Sequence, residues 1–176
     1  MEKYFIQYKP FLLFLGKFFL TYLVLTIIYR LYIANTCDDC IDGITKNVSI
    51  LTEKFSSLIG FNLSVIRDYN QYKIIVENKF VARIVEGCNA MSVIVLFISF
   101  VIAFSGKWKQ TIIYVFLGSV LIYFLNVLRI ILLSILIFHY PNQENILHGV
   151  VFPLIIYGVV FILWVIWVNN FSRYAK

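Results

Sequence analysis

The feature that most constrains this chain is a set of four long apolar runs that carry almost no charge. They cover residues 11–33, 90–104, 111–138 and 150–168. About 20 helical residues cross a hydrocarbon core of ~30 Å, and the runs reach or approach that length. The second run is short unless the residues before it extend the helix. The sequence therefore predicts an all-α integral membrane protein with about four transmembrane helices, at 11–33, 88–104, 111–138 and 149–168.

Composition and charge agree with a membrane protein and indicate its partners. Of the 176 residues, 61% are hydrophobic and 14% are charged, whereas globular chains carry roughly 25% charged residues. No basic stretch is interleaved with aromatic residues, so we interpret the net charge of +6 as a topology signal and predict no nucleic-acid partner. We expect residues 1–176 to form a single membrane domain whose surroundings are the lipid bilayer.

Lysine and arginine in the short flanks predict the orientation. They precede the first run, occur in SGKWKQ between the second and third runs, and follow the last run, whereas HYPNQENILHG (residues 139–149) has none. Because short cytoplasmic flanks are the basic ones, both termini are expected in the cytoplasm and residues 34–87 outside. The first run exceeds a signal-peptide core and has no A-x-A-type cleavage site after it, so we expect it to remain as a helix.

Residues 34–87 read as an ordered extracytoplasmic insertion. ITKNVSILTEKFSSLIG has apolar residues at spacings of four and three and then Gly60, which predicts an amphipathic helix. QYKIIVENKFVARIV alternates on both sides of Glu77-Asn78-Lys79, which predicts a β-hairpin that leads directly to Cys88. We expect one face of the helix to carry Ile44, Val48, Leu51, Phe55 and Leu58, and one face of the second strand to carry Phe80, Ala82 and Ile84.

The three cysteines are an odd number. Cys37 and Cys40 form a C-x-x-C just outside the first run, and we interpret them as a possible structural disulfide of an oxidising compartment. The acidic pair between them disfavours thiolate, although a redox pair or two free thiols remain alternatives. The two histidines have no spacing that suggests a zinc site, so we predict no metal and no cofactor. Cys88 is left over, either as a small buried side chain or as a reactive thiol.

Two further positions are unexpected in an apolar chain. Arg129 lies near the outer end of the third run, where a cation either snorkels to the surface or faces a polar site. Asn126 lies three residues earlier on the same helical face, which favours the polar site and makes it a supporting residue. His148 opens the fourth run on the same outer side, and His139 lies at the other end of that loop. In a four-helix bundle, Cys88, Arg129 and His148 would share one level.

These three residue types suit acyl transfer. A neighbouring cation lowers the pKa of a thiol toward a usable thiolate. A histidine passes a proton to the leaving amine in Cys–His acyl transfer. A guanidinium stabilises either the thiolate or the developing oxyanion. The reaction class that this set indicates is acyl transfer on a peptide bond at the outer leaflet.

Residues 84–165 resemble the exosortase/archaeosortase family of polytopic membrane cysteine transpeptidases. The resemblance lies in EGCNAMSVIVLFISFVIAF, in NVLRIILLSIL with its N-x-x-R-I, and in ILHGVVFPLIIYGVVF with its H-G. The Cys-Asn-Ala sequence and the short chain most resemble the F-type exosortases, whereas many members have Cys-Ser-Gly and more helices. The resemblance implies that Cys88 is the nucleophile, Arg129 the essential cation and His148 the acid/base residue.

The resemblance also implies the substrates and the location. The partners would be membrane-anchored proteins with a C-terminal sorting signal, made of a short motif, a transmembrane helix and a basic tail. The enzyme would cleave at the motif through a thioacyl intermediate, from the bacterial cytoplasmic membrane and with its active site facing outward. Two other functions remain open from the residues: a membrane thiol-disulfide oxidoreductase that uses Cys37 and Cys40, and a non-catalytic membrane assembly subunit.

Overall fold

The computed structural model describes the backbone of residues 2–35, 41–104 and 106–171, and side chains from residue 8 onward. The helices are α1 (Glu2–Ala34), α2 (Gly43–Leu58), α3 (Met91–Ala103), α4 (Trp108–His139), α5 (Glu144–Ile146) and α6 (Phe152–Asn170). The strands are β1 (Leu63–Asp68), β2 (Gln71–Val76) and β3 (Lys79–Ile84). A 3₁₀ turn (Glu86–Cys88) precedes α3, another (Pro141–Gln143) precedes α5, and a π-helical segment (Leu147–Val151) joins α5 to α6.

Three helical stretches of the described chain are long and apolar enough to cross a membrane: Tyr8–Ala34, Trp108–His139 and Pro141–Asn170. They contain the predicted spans at 11–33, 111–138 and 149–168. The predicted span at 88–104 is shorter in the structure, because α3 begins only at Met91. Residues 86–88 form the 3₁₀ turn, and Ala90 has φ 64°, a left-handed conformation that interrupts α-helical geometry. The apolar α3 therefore has 13 residues.

The bundle is held by aromatic packing and by close approach of helices. The Phe97 ring of α3, fully buried, lies against Gly118 of α4, where a methyl group would overlap it. The Tyr114 hydroxyl of α4 donates a 2.6 Å hydrogen bond to the Leu163 carbonyl of α6. Helix α1 packs on α3, where Phe14 contacts Phe100, and none of the side chains in its apolar window is fully buried. Apolar side chains that face outward on α1, α4 and α6 suit contact with lipid.

Helix α4 extends beyond the bundle and supports the sheet. Its 32 residues span about 48 Å at 1.5 Å each, which exceeds the ~30 Å of a hydrocarbon core. The C-terminal part of α4 shares one buried core with the sheet and with Val48 of α2. We call this end of the molecule the sheet end. That core contains Ile74, Val76, Val81, Ile84, Val127, Ile130, Ile131, Leu133 and Ile137.

The sheet has the order β1-β2-β3 and is antiparallel throughout. The predicted hairpin is present as β2 and β3, and Glu77 and Asn78 both have positive φ, as a two-residue type I′ turn requires. The predicted face of Phe80, Ala82 and Ile84 is wrong in part. A bulge leaves Val81 as an extra residue, so Val81 is buried while Phe80 is 60% exposed.

Helix α2 has the predicted extent, and Val48, Leu51 and Phe55 of its predicted apolar face pack against the core of the sheet end. It starts with Asp42, whose carboxylate accepts from the Ile44 and Thr45 amides, and it ends before Gly60 at φ 77°. Apart from Val48, its buried side chains are small and hydroxylated, whereas Leu58 is 77% exposed. Small side chains allow two helices to approach closely, which large apolar ones prevent. The buried hydroxylated residues are Thr45, Ser49, Thr52 and Ser56.

Candidate active site

Cys88 is placed by a tight turn between the sheet and α3. It ends the 3₁₀ turn, where its N–H donates to the Val85 carbonyl at 2.8 Å. Its side chain is half-buried and is a free thiol. Strand β3 ends at Ile84, so the chain passes from the sheet to the thiol within four residues. The turn therefore fixes Cys88 where the sheet meets the helical bundle.

Asn89 anchors this turn to three helices. It is 2% exposed, and its side-chain amide donates to the Tyr29 hydroxyl at 2.7 Å and to the Thr45 hydroxyl at 3.2 Å. Its side-chain oxygen accepts from the Met91 amide at 3.0 Å. These bonds join the turn to α1, to α2 and to the start of α3. Sequence reasoning did not assign Asn89 a role, although an amide beside a cysteine in an apolar run is a usable signal.

Asn126 holds the same turn from the other side. It is 2% exposed and donates a 2.7 Å hydrogen bond to the backbone carbonyl of Cys88. Its oxygen lies 3.5 Å from Nη1 of Arg129, a long contact within one helical turn of α4. A single buried amide thus lies between the cysteine turn and the guanidinium. The structure therefore places Asn126 in contact with both the Cys88 turn and Arg129.

Arg129 turns toward the interior of the sheet end. Its side chain is half-buried, and its Nε is buried with no hydrogen-bond partner within the described part of the chain. Buried donors are nearly always paired in folded proteins. An unpaired donor beside a cavity is a suitable partner for an oxygen atom of a bound molecule.

His148 lies at the same level as Arg129. The Tyr114–Leu163 hydrogen bond fixes the register of α4 against the last helix. Arg129 follows Tyr114 by fifteen residues along α4, and His148 precedes Leu163 by fifteen residues. At 1.5 Å per residue both lie about 22 Å toward the sheet end. The π-helical segment carries His148, whose side chain is exposed.

One cavity brings the predicted residues together. It has a volume of about 460 Å³, and Cys88, Arg129 and His148 all line it. Strand β3 and α4 supply most of its lining, and Pro141, Glu144 and His148 also line it. The three residues come from separate parts of the chain, and they meet because the sheet packs on the C-terminal part of α4. The fold therefore brings together the three residues that the sequence singled out.

The other predicted residues stand apart from this cavity. His139 ends α4, is exposed, and has its Nδ1 2.8 Å from the Ile135 carbonyl, outside the cavity wall. Cys37 and Cys40 lie outside the described residues. Among the described residues no three His, Cys, Asp or Glu side chains cluster as metal ligands. Of the two histidines, His148 is the one beside Cys88 and Arg129.

Comparison with known proteins assigns the family. Residues 10–168 match the family model described as Transmembrane exosortase (Exosortase_EpsH). The match includes α3, α4 and all the cavity residues named above. No curated protein and no solved structure gives a significant match.

Proposed function

The chain belongs to the transmembrane exosortase family, and from that premise we propose that it is a membrane-embedded cysteine transpeptidase that cleaves C-terminal sorting signals. The observation that carries the proposal is the shared cavity of Cys88, Arg129 and His148. A nucleophile, a cation and a proton-transfer group that line the same cavity are the parts that acyl transfer requires.

The first half of the reaction forms a thioester. His148 takes the proton of the Cys88 thiol, and Sγ attacks the carbonyl carbon of the scissile peptide bond. The tetrahedral intermediate collapses when the C–N bond breaks, and His148 gives the same proton to the leaving nitrogen. The C-terminal fragment leaves as an amine. The N-terminal fragment stays bound to Sγ as a thioacyl group.

The second half releases the product. Water or an amine attacks the thioester carbon, and His148 accepts the proton of that nucleophile. The carbon–sulfur bond breaks, and the Cys88 thiol regains its proton from His148. With water the enzyme acts as a peptidase, and with an amine it acts as a transpeptidase. The family relationship favours one of these two outcomes over any redox step.

Arg129 stabilises the negative charge of the tetrahedral intermediates. Its buried Nε has no partner in the described residues, so an oxyanion in the cavity would satisfy it. Asn126 supports this role because it contacts both the Cys88 carbonyl and the guanidinium. Removing one donor of an oxyanion site typically lowers kcat by about 10²–10³. We therefore assign Arg129 to the reaction and Asn126 to positioning.

Helix α3 is the fourth span in this proposal, and a short one. Its 13 residues cover about 20 Å, some 10 Å less than the hydrocarbon core. The turn of residues 86–90 completes the crossing, so Cys88 is recessed below the outer boundary of the core. Buried Asn89 and Asn126 satisfy the irregular backbone there, as non-helical segments at membrane depth require. Both termini face the cytoplasm, and the sheet end faces outward.

A recessed thiol suits a substrate that is itself a membrane helix. The scissile bond of a sorting signal lies just before that helix, at the depth where the substrate chain emerges from lipid. We propose membrane-anchored surface proteins as substrates, in the bacterial cytoplasmic membrane, and an F-type relationship on the Cys-Asn-Ala sequence.

The test follows the C-terminal tail of candidate surface proteins by immunoblot in cells with single variants. Cys88→Ala, Arg129→Ala and His148→Ala are each expected to leave the tail uncleaved at wild-type enzyme levels. His139→Ala is the matched control, because this histidine does not line the cavity, and the variant is expected to cleave normally. Normal processing in all three site variants would refute the proposal.

The same variants distinguish the transpeptidase from the redox function that the C-x-x-C of Cys37 and Cys40 leaves open. An oxidoreductase that uses Cys37 and Cys40 predicts loss of function in Cys40→Ser and normal function in Cys88→Ala. The transpeptidase predicts the reverse. A non-catalytic assembly subunit predicts that neither substitution changes processing of the tail.

A further inference from the structure

Strand β3 is an edge strand whose free edge follows from the hydrogen-bond alternation of the sheet. In an antiparallel ladder, opposite pairs alternate between hydrogen-bonded and non-bonded. The residues that flank a two-residue turn form a hydrogen-bonded pair, which makes Asp68–Gln71 and Val76–Lys79 such pairs. The backbone groups of odd-numbered residues in β2 therefore hydrogen-bond to β1, and those of even-numbered residues hydrogen-bond to β3. The amide of Val65 fits this parity, because it points away from β2 and donates to Glu53.

The same alternation identifies the groups on the edge of β3. Phe80 and Arg83 lie opposite the odd-numbered Ile75 and Lys73. Their backbone N–H and C=O groups therefore point away from β2. Within the described residues the sheet ends at β3, so no strand pairs with this edge.

The active-site cavity runs along this edge. Four consecutive residues of β3, from Phe80 to Arg83, line it, followed by Val85 and Cys88. Although the bulge at Val81 interrupts the alternation of side chains, these four residues do not share one face of the sheet, because Phe80 and Arg83 are exposed whereas Val81 is buried. A cavity that contacts four in succession therefore follows the backbone edge rather than one face. It connects the free edge of β3 to the thiol.

The cavity has the size of a short strand. With a strand spacing of ~4.8 Å, a sheet spacing of ~10 Å and a rise of ~3.3 Å, one strand residue occupies roughly 160 Å³. A volume of about 460 Å³ therefore holds about three extended residues. A peptide whose scissile carbonyl lies at Cys88 must place its preceding residues nearby, and this space is continuous with the thiol.

We infer that the substrate segment just before the scissile bond binds as an added strand on the free edge of β3, parallel to it. This inference rests on the proposed function. Strand β3 runs from Lys79 toward Cys88 and then into α3, that is, toward the membrane. A sorting signal also runs toward the membrane, because its helix follows the motif. The two chains therefore run in the same direction, and main-chain hydrogen bonds from Phe80 and Arg83 hold the peptide.

Two substitutions at one position distinguish the contribution of the backbone N–H to substrate binding from that of the side chain. Arg83→Pro removes the N–H that points away from β2 and leaves the β2–β3 ladder intact, as proline on a strand edge does. Arg83→Ala removes the guanidinium and keeps the N–H. Arg67→Pro is the control, since the alternation points its N–H away from β2 at the other edge of the same sheet, and Arg67 does not line the cavity.

We expect Arg83→Pro to lower kcat/KM for cleavage of a synthetic tail by about tenfold or more, since it loses a hydrogen bond and introduces a ring at the contact. Arg83→Ala is expected to lower kcat/KM clearly less than Arg83→Pro does, because it keeps the N–H that binds the peptide. Arg67→Pro is expected to stay within about threefold of wild type, the scale of a lost exposed contact. Equal losses in Arg83→Pro and Arg83→Ala would assign the effect to the guanidinium and overturn the proposal. If Arg83→Pro matches wild type while wild type cleaves, the strand addition fails and the proposed function stands.

Amide hydrogen exchange tests the contact with an unaltered strand. Cys88→Ala enzyme in nanodiscs is mixed with the synthetic tail, made of motif, apolar helix and basic end, so that binding occurs without cleavage. We expect slower exchange at the Phe80 and Arg83 amides and no change at β1. Exchange that stays fast while the tail binds would overturn the proposal. So would protection that appears without the tail and grows with enzyme concentration, because it indicates pairing between two copies of β3.

Discussion

Substitution of Asn126 gives the sharpest test of how the site is assembled. The side-chain amide of Asn126 is the described donor to the Cys88 carbonyl, at 2.7 Å, and it is 2% exposed. In Asn126→Ala this carbonyl loses its donor in a buried setting. The guanidinium of Arg129 loses its neighbour in the same substitution. Both the thiol and the cation are then less firmly placed.

The expected loss of activity in Asn126→Ala follows from the burial of the hydrogen bond that it removes. An unpaired buried acceptor costs about 1–3 kcal/mol, and hydrogen bonds inside membrane proteins contribute about 0.6–2 kcal/mol. A misplacement of about 1 Å at a reacting group costs about 10²-fold in rate. We therefore expect kcat/KM for tail cleavage to fall about 10–100-fold in Asn126→Ala, mostly through kcat. Asn126→Asp is expected to be at least as damaging, since a carboxylate cannot donate and faces the carbonyl oxygen.

The assay compares cleavage kinetics with thermal unfolding in detergent. Tyr114→Phe is the matched control, because it removes another interhelical hydrogen bond to a backbone carbonyl, 2.6 Å long and distant from the cavity. Both variants are expected to lower the unfolding temperature by similar amounts, while only Asn126→Ala lowers cleavage by folded enzyme. If Asn126→Ala cleaves like Tyr114→Phe, Asn126 supports the fold alone and the reasoning is refuted.

Three further predictions concern individual positions. In purified enzyme, His148→Ala should lower kcat by at least about 10² because proton transfer is lost, and His139→Ala should not; equal rates would contradict the assignment. Ala90→Gly should unfold at an equal or higher temperature, since glycine adopts the φ of 64° without a left-handed cost of about 1–2 kcal/mol; a clear loss would show that the methyl group matters more. Gly118→Ala should cost about 1–3 kcal/mol by overlap with the Phe97 ring, whereas Gly158→Ala, with open space around it, should be neutral in the same melting assay; equal stability of the two would contradict the packing.

The helices were predictable because apolar length is a local property of the chain. The runs at 11–33, 111–138 and 149–168 lie within long helices of the structure. The start of α3 was not predictable, because residues 86–90 form a turn that depends on hydrogen bonds from distant side chains. Asn89 bonds Tyr29 and Thr45, which are 60 and 44 residues away, and no pattern near Asn89 encodes those partners.

In the insertion between α1 and α3, too, local features were predictable from the sequence, whereas features that depend on distant contacts were not. Periodicity predicted α2 and the β2–β3 hairpin, and Val48, Leu51 and Phe55 of the predicted apolar face pack against the core. It did not predict that small hydroxylated residues beside this face are fully buried, because that burial depends on the close approach of another helix. Strand β1 was missed since Ile66, an apolar residue, is 53% exposed and obscures the alternation of LSVIRD. The bulge at Val81 was likewise hidden, because it depends on pairing with β2.

The sequence indicated the candidate site only as a set of residue types at helix ends, and the fold shows how those residues come to line one cavity. Cys88 and Arg129 were recognisable as a lone thiol and a cation in apolar surroundings. Their proximity depends on the 2.7 Å bond from Asn126 to the Cys88 carbonyl and on the sheet packed against α4. The free edge of β3 beside the thiol is a property of the assembled sheet alone.

Detection of the covalent thioester intermediate tests most directly whether Cys88 is the nucleophile. Enzyme in nanodiscs is mixed with a synthetic tail, quenched in acid and analysed by mass spectrometry with and without hydroxylamine, which cleaves thioesters. We expect an adduct of the N-terminal fragment on Cys88 that hydroxylamine removes, absent from Cys88→Ala and present in Cys40→Ser. Cleavage of the tail by Cys88→Ala, or an adduct on Cys37 or Cys40, would contradict this role of Cys88.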